Sequence, residues 1–180
     1  AVSVNDPALD EFGIAPELRF RMWDWVGGRY SVWSAIGLAA AMTTGSQGFR
    51  EMLGGARVMD EHFRSTPLAD NIPVLAGLLA VWNRTFLGND QNVVLPYDQR
   101  LELLPDYLQQ LVMESLGKGV RQDGSVAEYA TGGSLWGGPG SNSQHSFAQW
   151  LHQGAANAYV DYIGTVNGPP GIAPEAHQQA

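Results

Sequence analysis

Most hydrophobic positions along the chain recur at intervals of three and four residues, the spacing of one face of an α-helix. The pattern is clearest in residues 46–65, where it is carried by Phe49, Met52, Leu53, Ala56, Met59 and Phe63. Prolines and capping residues at the starts of other segments support the same interpretation. Helices are predicted at residues 16–25, 31–43, 46–65, 70–87, 99–116 and 143–153.

Three of these helices carry residues whose roles can be predicted. Ser31 is expected to cap a helix that is apolar on nearly all sides and therefore buried on most faces. Asp70 is expected to cap the fourth helix, with Pro73 in its first turn. Because proline lacks a backbone N–H, Pro105 is expected either to kink the fifth helix or to restart it.

Short apolar runs between the helices predict β-strands at residues 92–97, 134–136 and 157–166, of which the last is the clearest. Long helices that separate short, fully apolar strands are typical of an α/β fold. The predicted fold class is therefore α/β, helix-rich and layered, with a small parallel sheet. Residues 118–145 form a long irregular segment, which is uncommon inside a domain and is often functional.

Composition narrows the range of functions. The 180 residues, 44% of them hydrophobic, suffice for one domain or part of one, and residues 1–180 are interpreted as a single partial domain. The net charge of −8 argues against a nucleic-acid partner, and no apolar stretch is long enough to cross a membrane. The absence of cysteine excludes disulfides and thiolate metal sites and fits a cytoplasmic protein.

The ends of the sequence indicate a piece of a longer protein. The chain starts without Met, and Pro174 begins a helix that stops short. No metal or nucleotide site is predicted, because the histidines lack metal-ligand spacing and neither a P-loop nor a dinucleotide fingerprint is present. A nucleophile elbow is also lacking. The histidines are His62, His145, His152 and His177.

Two polar positions follow a pattern that could carry chemistry. In DWVGGRYSVWSAIG, two glycines precede Arg29, whose guanidinium could hold a carboxylate or phosphate, or be solvated in a surface loop. Gln110 and Glu114 lie four residues apart and share a helix face. Glu114 could be a catalytic acid or base, or an ordinary exposed glutamate.

Two further candidates lie at the ends of predicted strands. In GGPGSNSQH, Asn142 or Ser143 could cap a helix with His145 in its first turn. There His145 could shuttle protons or be a hydrogen-bonded structural residue. Residues 95–99 end a strand, where a ligand could bind or a plain turn could form. An arginine, a glutamate and a histidine together suit proton transfer beside a developing anion.

Five segments resemble the glucose-6-phosphate isomerase (phosphoglucose isomerase) family. They are DWVGGRYSVWSAIG, GARVMDEHFRSTPLADNIPVLAGLLAVWN, LPYDQRL, QQLVMESLGK and WGGPGSNSQHSFAQWLHQG. They follow the family's order over nearly the whole chain, and the first matches a family signature without a break. The resemblance implies a sugar-isomerase (SIS-type, Rossmann-like) fold, of which this chain is most of the second such domain in a longer protein.

The resemblance also implies an activity and the residues that perform it. The reaction would be the reversible interconversion of glucose 6-phosphate and fructose 6-phosphate in glycolysis and gluconeogenesis, without a cofactor. Glu114 would move the proton between C1 and C2, Arg29 would stabilise the charge of the enediolate, and His145 would help to open the sugar ring. Gln110 would line the site. The resemblance further implies a homodimer in which His145 completes the partner's site.

Some positions depart from the family pattern, and these leave the fine geometry of the site open. Leu116 replaces an asparagine, Gly138 a glutamate, Ser141 a threonine and Ser143 a glycine. Two alternatives therefore stand beside catalysis: a sugar-phosphate-binding SIS module, and a degraded paralogue retained for assembly. The family's serine-rich phosphate loop and lysine-bearing second signature are not in this sequence. The 180 residues alone are therefore expected to be inactive, which turnover by the purified chain would test.

Overall fold

A computed structural model describes residues 1–155 and 157–168. The chain forms two compact units, Ala1–Leu75 and Ala76–Ala180. The helix predicted to begin at Pro174 lies outside the described residues. No helix among the described residues combines the length and the apolar character needed to span a membrane.

The first unit begins with a short parallel ribbon. β1 (Val2–Ser3) pairs with β2 (Phe20–Arg21), and the chain between them forms α1 (Asp6–Glu11) and a 3₁₀ turn (Pro16–Leu18). The helix predicted at residues 16–25 is therefore wrong.

Contacts with the start of the chain explain why residues 16–25 are not helical. The Phe20 N–H donates to the Ala1 carbonyl at 2.7 Å, so it is not available for a hydrogen bond within a helix. Arg19 donates from Nε to the Ile14 carbonyl at 2.9 Å and from Nη2 to Asp10 Oδ1 at 2.7 Å. These partners are set by the fold, which overrides a local helical pattern.

α2 (Leu38–Ser65) is preceded by two 3₁₀ turns, Gly28–Trp33 and Ala35–Gly37. Ser31 lies in the first turn and donates its hydroxyl to the Gly28 carbonyl at 2.6 Å. The prediction that Ser31 caps an α-helix is therefore wrong.

A kink divides α2 into the two segments that the hydrophobic pattern separates. At Gly45, φ is 75° and ψ is 163°, a conformation that glycine adopts readily. The prediction of a helix at residues 46–65 is confirmed. The segment before the kink was expected to be buried on most faces, but Met42 is 78% exposed in this chain.

α3 (Ile72–Phe86) confirms the helix predicted at residues 70–87 but not its cap. Asp70 belongs to a preceding 3₁₀ turn, Leu68–Asp70. Asn71 caps α3 instead, because its Oδ1 accepts from the Val74 N–H at 3.3 Å.

The second unit is built on a three-stranded parallel sheet in the order β4-β3-β5. The strands are β3 (Gln91–Pro96), β4 (Ser134–Gly137) and β5 (Ala158–Ile163). They confirm the three predicted strands, and the α/β fold class with a small parallel sheet is confirmed with them. The core lies on the central strand, where Val93, Val94 and Leu95 are buried, as expected for a parallel strand covered on both sides.

The fifth predicted helix is real but is assembled from three pieces. A 3₁₀ turn (Gln99–Leu101) precedes α4 (Leu104–Gln109), which continues as a π-helix (Gln110–Glu114). Pro105 lies in the first turn of α4, where backbone N–H groups have no partner within the helix, so the lack of an N–H costs no hydrogen bond. Of the two alternatives for this proline, the structure selects the restart.

The helix predicted at residues 143–153 is interrupted. α5 (Gly140–Ser143) ends at a turn, and α6 starts only at Ala148 and runs to Gln153. The Ser143 hydroxyl donates to the Pro139 carbonyl at 2.9 Å, while Phe147 has φ −122° and ψ 0°, outside the helical region. Neither Asn142 nor Ser143 caps a helix here, so that prediction is wrong.

Candidate active site

The predicted pairing of Gln110 with Glu114 is present in the structure. The Gln110 side-chain amide donates from Nε2 to Glu114 Oε2 at 3.1 Å, and both residues are exposed. They are the first and last residues of the π-helix, a form of helix that is rare and found disproportionately at functional sites. A carboxylate held by a neighbouring amide, at a surface that a substrate can reach, suits proton transfer.

The residues after Glu114 attach this helix end to the sheet. The Lys118 ammonium donates to the Glu114 carbonyl, and the Gly117 N–H donates to the Met113 carbonyl at 2.8 Å. The Leu116 carbonyl accepts from the Gly132 N–H at 3.0 Å, two residues before β4 begins. Glu114 therefore lies near the amino edge of the parallel sheet.

A cavity of about 620 Å³ opens beside the same helix end. Ser115 and Leu116 form part of its wall, and Arg84, Asn92 and Tyr159 supply polar groups. Arg84 Nη1 lies 4.0 Å from Asp90 Oδ2, while Arg84 Nε and Asn92 Oδ1 are buried without a hydrogen-bond partner. Burial raises the pKa of the Tyr159 phenol above its ordinary value, and the charge of Asp161 adds to this effect.

The sequence analysis did not identify the polar residues of this cavity. They come from α3, β3 and β5, which are far apart along the chain, and no local motif connects them. Among the described residues, no group of three or more histidine, aspartate or glutamate side chains could hold a metal ion.

His145 occupies the turn between α5 and α6 rather than the first turn of a helix. The backbone N–H of His145 donates to the Asn142 carbonyl at 3.2 Å, and the residue is exposed. α5 packs on the Tyr97 ring so closely that a Cβ at Gly140 would lie 2.4 Å from it. Because Tyr97 directly follows β3, His145 belongs to the carboxyl edge of the sheet.

Glu114 and His145 are therefore not brought together within the second unit. β3 separates the two edges, and a six-residue parallel strand spans roughly 16 Å. Sequence spacing did not predict this separation.

The strand end at residues 95–99 has a structural role in this chain. Asp98 is only 4% exposed and accepts from the Arg100 N–H and Nε, each at 2.9 Å, and from Thr165 Oγ1 at 2.7 Å. These hydrogen bonds, chiefly the one from the Arg100 side chain, hold the pKa of the Asp98 carboxyl well below its ordinary value. The turn that follows β3 is thus held together by a buried carboxylate.

Arg29 lies in the first unit, in the 3₁₀ turn Gly28–Trp33, and is half-buried. The space beside Gly28 is open, since a Cβ added there would meet no atom within 4 Å. Another group could therefore approach the backbone next to Arg29, as the sequence predicts for this pair of glycines.

Together, the two units define a helix-rich α/β protein with an acid–amide pair at one edge of a parallel sheet. The phosphoglucose isomerase family model matches residues 1–179. The chain belongs to the phosphoglucose isomerase family.

Individual relatives agree with this assignment. The chain is 56% identical over 163 residues to the glucose-6-phosphate isomerase of Chlorobium luteolum, covering 91% of the chain and 30% of that protein. It is 54% identical over 163 residues to the Hahella chejuensis enzyme, covering 91% of the chain and 29% of that protein. The chain thus spans about 30% of the length of these curated relatives.

Solved structures support the same fold. The crystal structure of a glucose-6-phosphate isomerase from Chlamydia trachomatis matches with a TM-score of 0.81 and 37% identity, covering 86% of this chain and 30% of that one. A hypothetical protein from Thermus thermophilus matches with a TM-score of 0.67 and 27% identity, covering 87% of this chain and 34% of that one.

Proposed function

We propose that the protein containing this chain interconverts glucose 6-phosphate and fructose 6-phosphate through a cis-enediol(ate), in glycolysis and gluconeogenesis. The observation that carries the proposal is the hydrogen-bonded Gln110–Glu114 pair, in a chain that the family model matches from residue 1 to 179. Such a reaction needs a base, a cation near the developing oxyanion and an acid for the ring oxygen, all of which side chains can supply.

Each of the predicted residues has a place in this reaction. Glu114 removes the proton from C2 of the open-chain aldose and returns it to C1, and Gln110 orients the carboxylate. Arg29 stabilises the negative charge on the enediolate oxygen, and His145 moves the proton that opens the sugar ring. No bound cofactor takes part in these steps.

The same proposal includes a homodimer in the cytoplasm, built from SIS-type domains. Its support is the placement of Glu114 and His145 at opposite edges of one parallel sheet. Because one second unit carries the two residues at different edges, a second copy can bring its own His145 to the Glu114 of the first. Glucose 6-phosphate and fructose 6-phosphate are the proposed substrates.

The proposal is tested by changing Glu114→Gln in the full-length protein. The amide keeps the size of the side chain but cannot accept the substrate proton, so kcat should fall by about 10²- to 10⁴-fold, the usual contribution of a positioned base. KM should change little, because the amide can still contact the sugar. Steady-state turnover of glucose 6-phosphate measures both constants.

A matched control is Glu102→Gln, which changes another exposed glutamate just before α4 and should leave kcat unaltered. Near-normal turnover by the Glu114→Gln enzyme would rule out Glu114 as the base. Sugar-phosphate binding without any turnover by the unaltered protein would instead support a non-catalytic binding module.

A further inference from the structure

The helix end that carries Glu114 rests against the segment that leads into β4. Gly132 makes the contact, since its N–H donates to the Leu116 carbonyl at 3.0 Å. Leu116 follows Glu114 by two residues, so any shift of Leu116 moves Glu114 with it. Residue 132 therefore lies directly against the helix end that carries Glu114.

The contact leaves no room for a side chain at residue 132. A Cβ built on Gly132 would lie 2.7 Å from Leu116 Cβ and 3.1 Å from the Leu116 carbonyl carbon. Both distances are shorter than ordinary contacts between carbon atoms, which lie at about 3.5–4.0 Å. The obstructing atoms belong to the backbone or are attached directly to it, so a change of rotamer cannot remove them.

The sheet side of this contact is the more firmly held. Asp90 directly precedes β3, and its carbonyl accepts from the Ser134 N–H at 2.9 Å. A Cβ on the neighbouring Gly133 would lie 2.5 Å from the same carbonyl. Residues 132–134 are thus fitted against the start of the parallel sheet, so crowding at residue 132 displaces the helix end rather than the strand.

We propose that Gly132 is a positioning residue that sets the location of Glu114 through the close contact with Leu116. The inference rests on the proposed function, in which Glu114 is the catalytic base. Displacement of a catalytic group by about 1 Å, caused by a change elsewhere, can lower the rate about 10²-fold.

The test is Gly132→Ala in the full-length enzyme. The added methyl group pushes Leu116 away, so kcat should fall by about 10- to 100-fold while KM stays within about threefold, because proton transfer is more sensitive to a small displacement than sugar binding is. The double variant Gly132→Ala/Leu116→Gly removes Leu116 Cβ and should recover part of the lost kcat. Such recovery in a double-mutant cycle identifies the pair as coupled.

Two glycines provide matched controls. Gly133→Ala crowds the Asp90 carbonyl instead of the helix end and should reduce stability while changing kcat by less than about threefold. Gly119→Ala should change neither property, because a Cβ there meets no atom within 4 Å. An equal loss of kcat in Gly132→Ala and Gly133→Ala, or a kcat for Gly132→Ala within threefold of the unaltered enzyme, would overturn the inference.

Hydrogen exchange measured by mass spectrometry provides a readout that does not depend on activity. Gly132→Ala should increase exchange in residues 104–118, and Gly133→Ala should not.

Full turnover by Glu114→Gln would refute the proposed function, whereas the exchange result still decides whether Gly132 holds the helix end. If Gly132→Ala does not fold, Gly132→Ala/Leu116→Gly is compared with Leu116→Gly alone. The backbone atoms of residue 116 still crowd the added Cβ, so kcat should be lower in the double variant, and equal kcat values would overturn the inference.

Discussion

At the residue scale, Asp98 illustrates what a buried charge requires. Its carboxylate is almost completely enclosed, and burial without partners would favour the neutral form. Arg100, which follows it by two residues, and Thr165, which follows β5, supply donors to it. The Arg100 guanidinium also donates to the Asn167 carbonyl at 3.0 Å, so one carboxylate connects the ends of two neighbouring strands.

We predict that this carboxylate makes the stability of the fold sensitive to acid. The pKa of Asp98 is lowered in the folded protein from its ordinary value of 3.8. The ionised form is therefore favoured by folding, so its stabilising effect is complete above about pH 4 and is lost as the pH falls through the folded pKa. Asp98→Asn should lower the Tm at pH 6, and the difference from the unaltered protein should shrink between pH 4 and pH 2.

Thermal unfolding of the full-length protein at a series of pH values measures this effect. Asp60→Asn, which changes an exposed carboxylate on α2, serves as the control and should follow the unaltered protein throughout. A difference in Tm that stays constant from pH 6 to pH 2 would contradict the assignment of the acid sensitivity to Asp98.

The prediction of the Gln110–Glu114 pair succeeded because both partners lie close in sequence. Gln110 and Glu114 are one helical turn apart, so their spacing alone indicated the contact that the structure contains. Thr165 lies 67 residues from Asp98, and no local pattern could indicate that pairing. For this reason the sequence pattern identified Asp98 only as part of a strand end.

At the element scale, α3 shows how one residue serves two helices. Asn71 is 1% exposed and caps α3 through its side-chain oxygen. Its side-chain nitrogen donates to the Phe63 carbonyl at 2.8 Å and the Thr66 carbonyl at 3.2 Å, at the end of α2. The side-chain amide of Asn71 thus provides hydrogen-bond partners both for carbonyls at the end of α2 and for an N–H at the start of α3.

We predict that Asn71→Ala destabilises this junction by about 2 kcal/mol, since it removes a cap and leaves buried carbonyls without their donor. Asp70→Ala, at the position where the sequence pattern placed the cap, should cost less than about 0.5 kcal/mol, as most exposed substitutions do. Hydrogen exchange in the first turn of α3 of the full-length protein reports the local opening free energy. Equal effects of the two variants would exclude Asn71 as the cap.

Strands were easier to predict than helix boundaries in this chain. The middle of β3 is an apolar run, Val93, Val94 and Leu95, which ends at Pro96, and sheet burial alone explains this pattern. The helix predicted at 143–153 is interrupted at Phe147, whose backbone is not helical. The helix predicted at 16–25 failed because its groups bond elsewhere, as the Phe20 N–H does to Ala1 and the Arg19 side chain does to Ile14. Such local bonds compete with a helix without altering its hydrophobic pattern.

At the scale of the whole molecule, the two edges of the sheet carry different residues of the proposed site. Glu114 lies near the amino edge and His145 near the carboxyl edge. If a complete site needs both, a dimer with two-fold symmetry supplies each site from two copies. The spacing of the residues along the sequence could not indicate that Glu114 and His145 lie at opposite edges, because this depends on which edge each connection reaches.

We predict that two inactive full-length variants restore activity when their subunits exchange. A hybrid of Glu114→Gln and His145→Ala contains one site with both groups intact, so an equal mixture should reach about a quarter of normal activity. Mixing Glu114→Gln with Glu114→Ala is the control and should give no recovery. Exchange can be verified by co-purification of differently tagged subunits, and its occurrence without recovered activity would place His145 in its own chain's site.

The order of strands in the sheet has a consequence for synthesis of the chain on the ribosome. β3 lies in the middle of the sheet, yet both strands that cover its edges are made after it. At about 5–20 residues per second, the roughly 65 residues between the end of β3 and the end of β5 take about 3 to 13 seconds to appear. Until β4 and β5 have been made, Val93, Val94 and Leu95 lack one or both of the neighbouring strands, so the nascent protein depends on chaperones or on fast local burial to avoid aggregation.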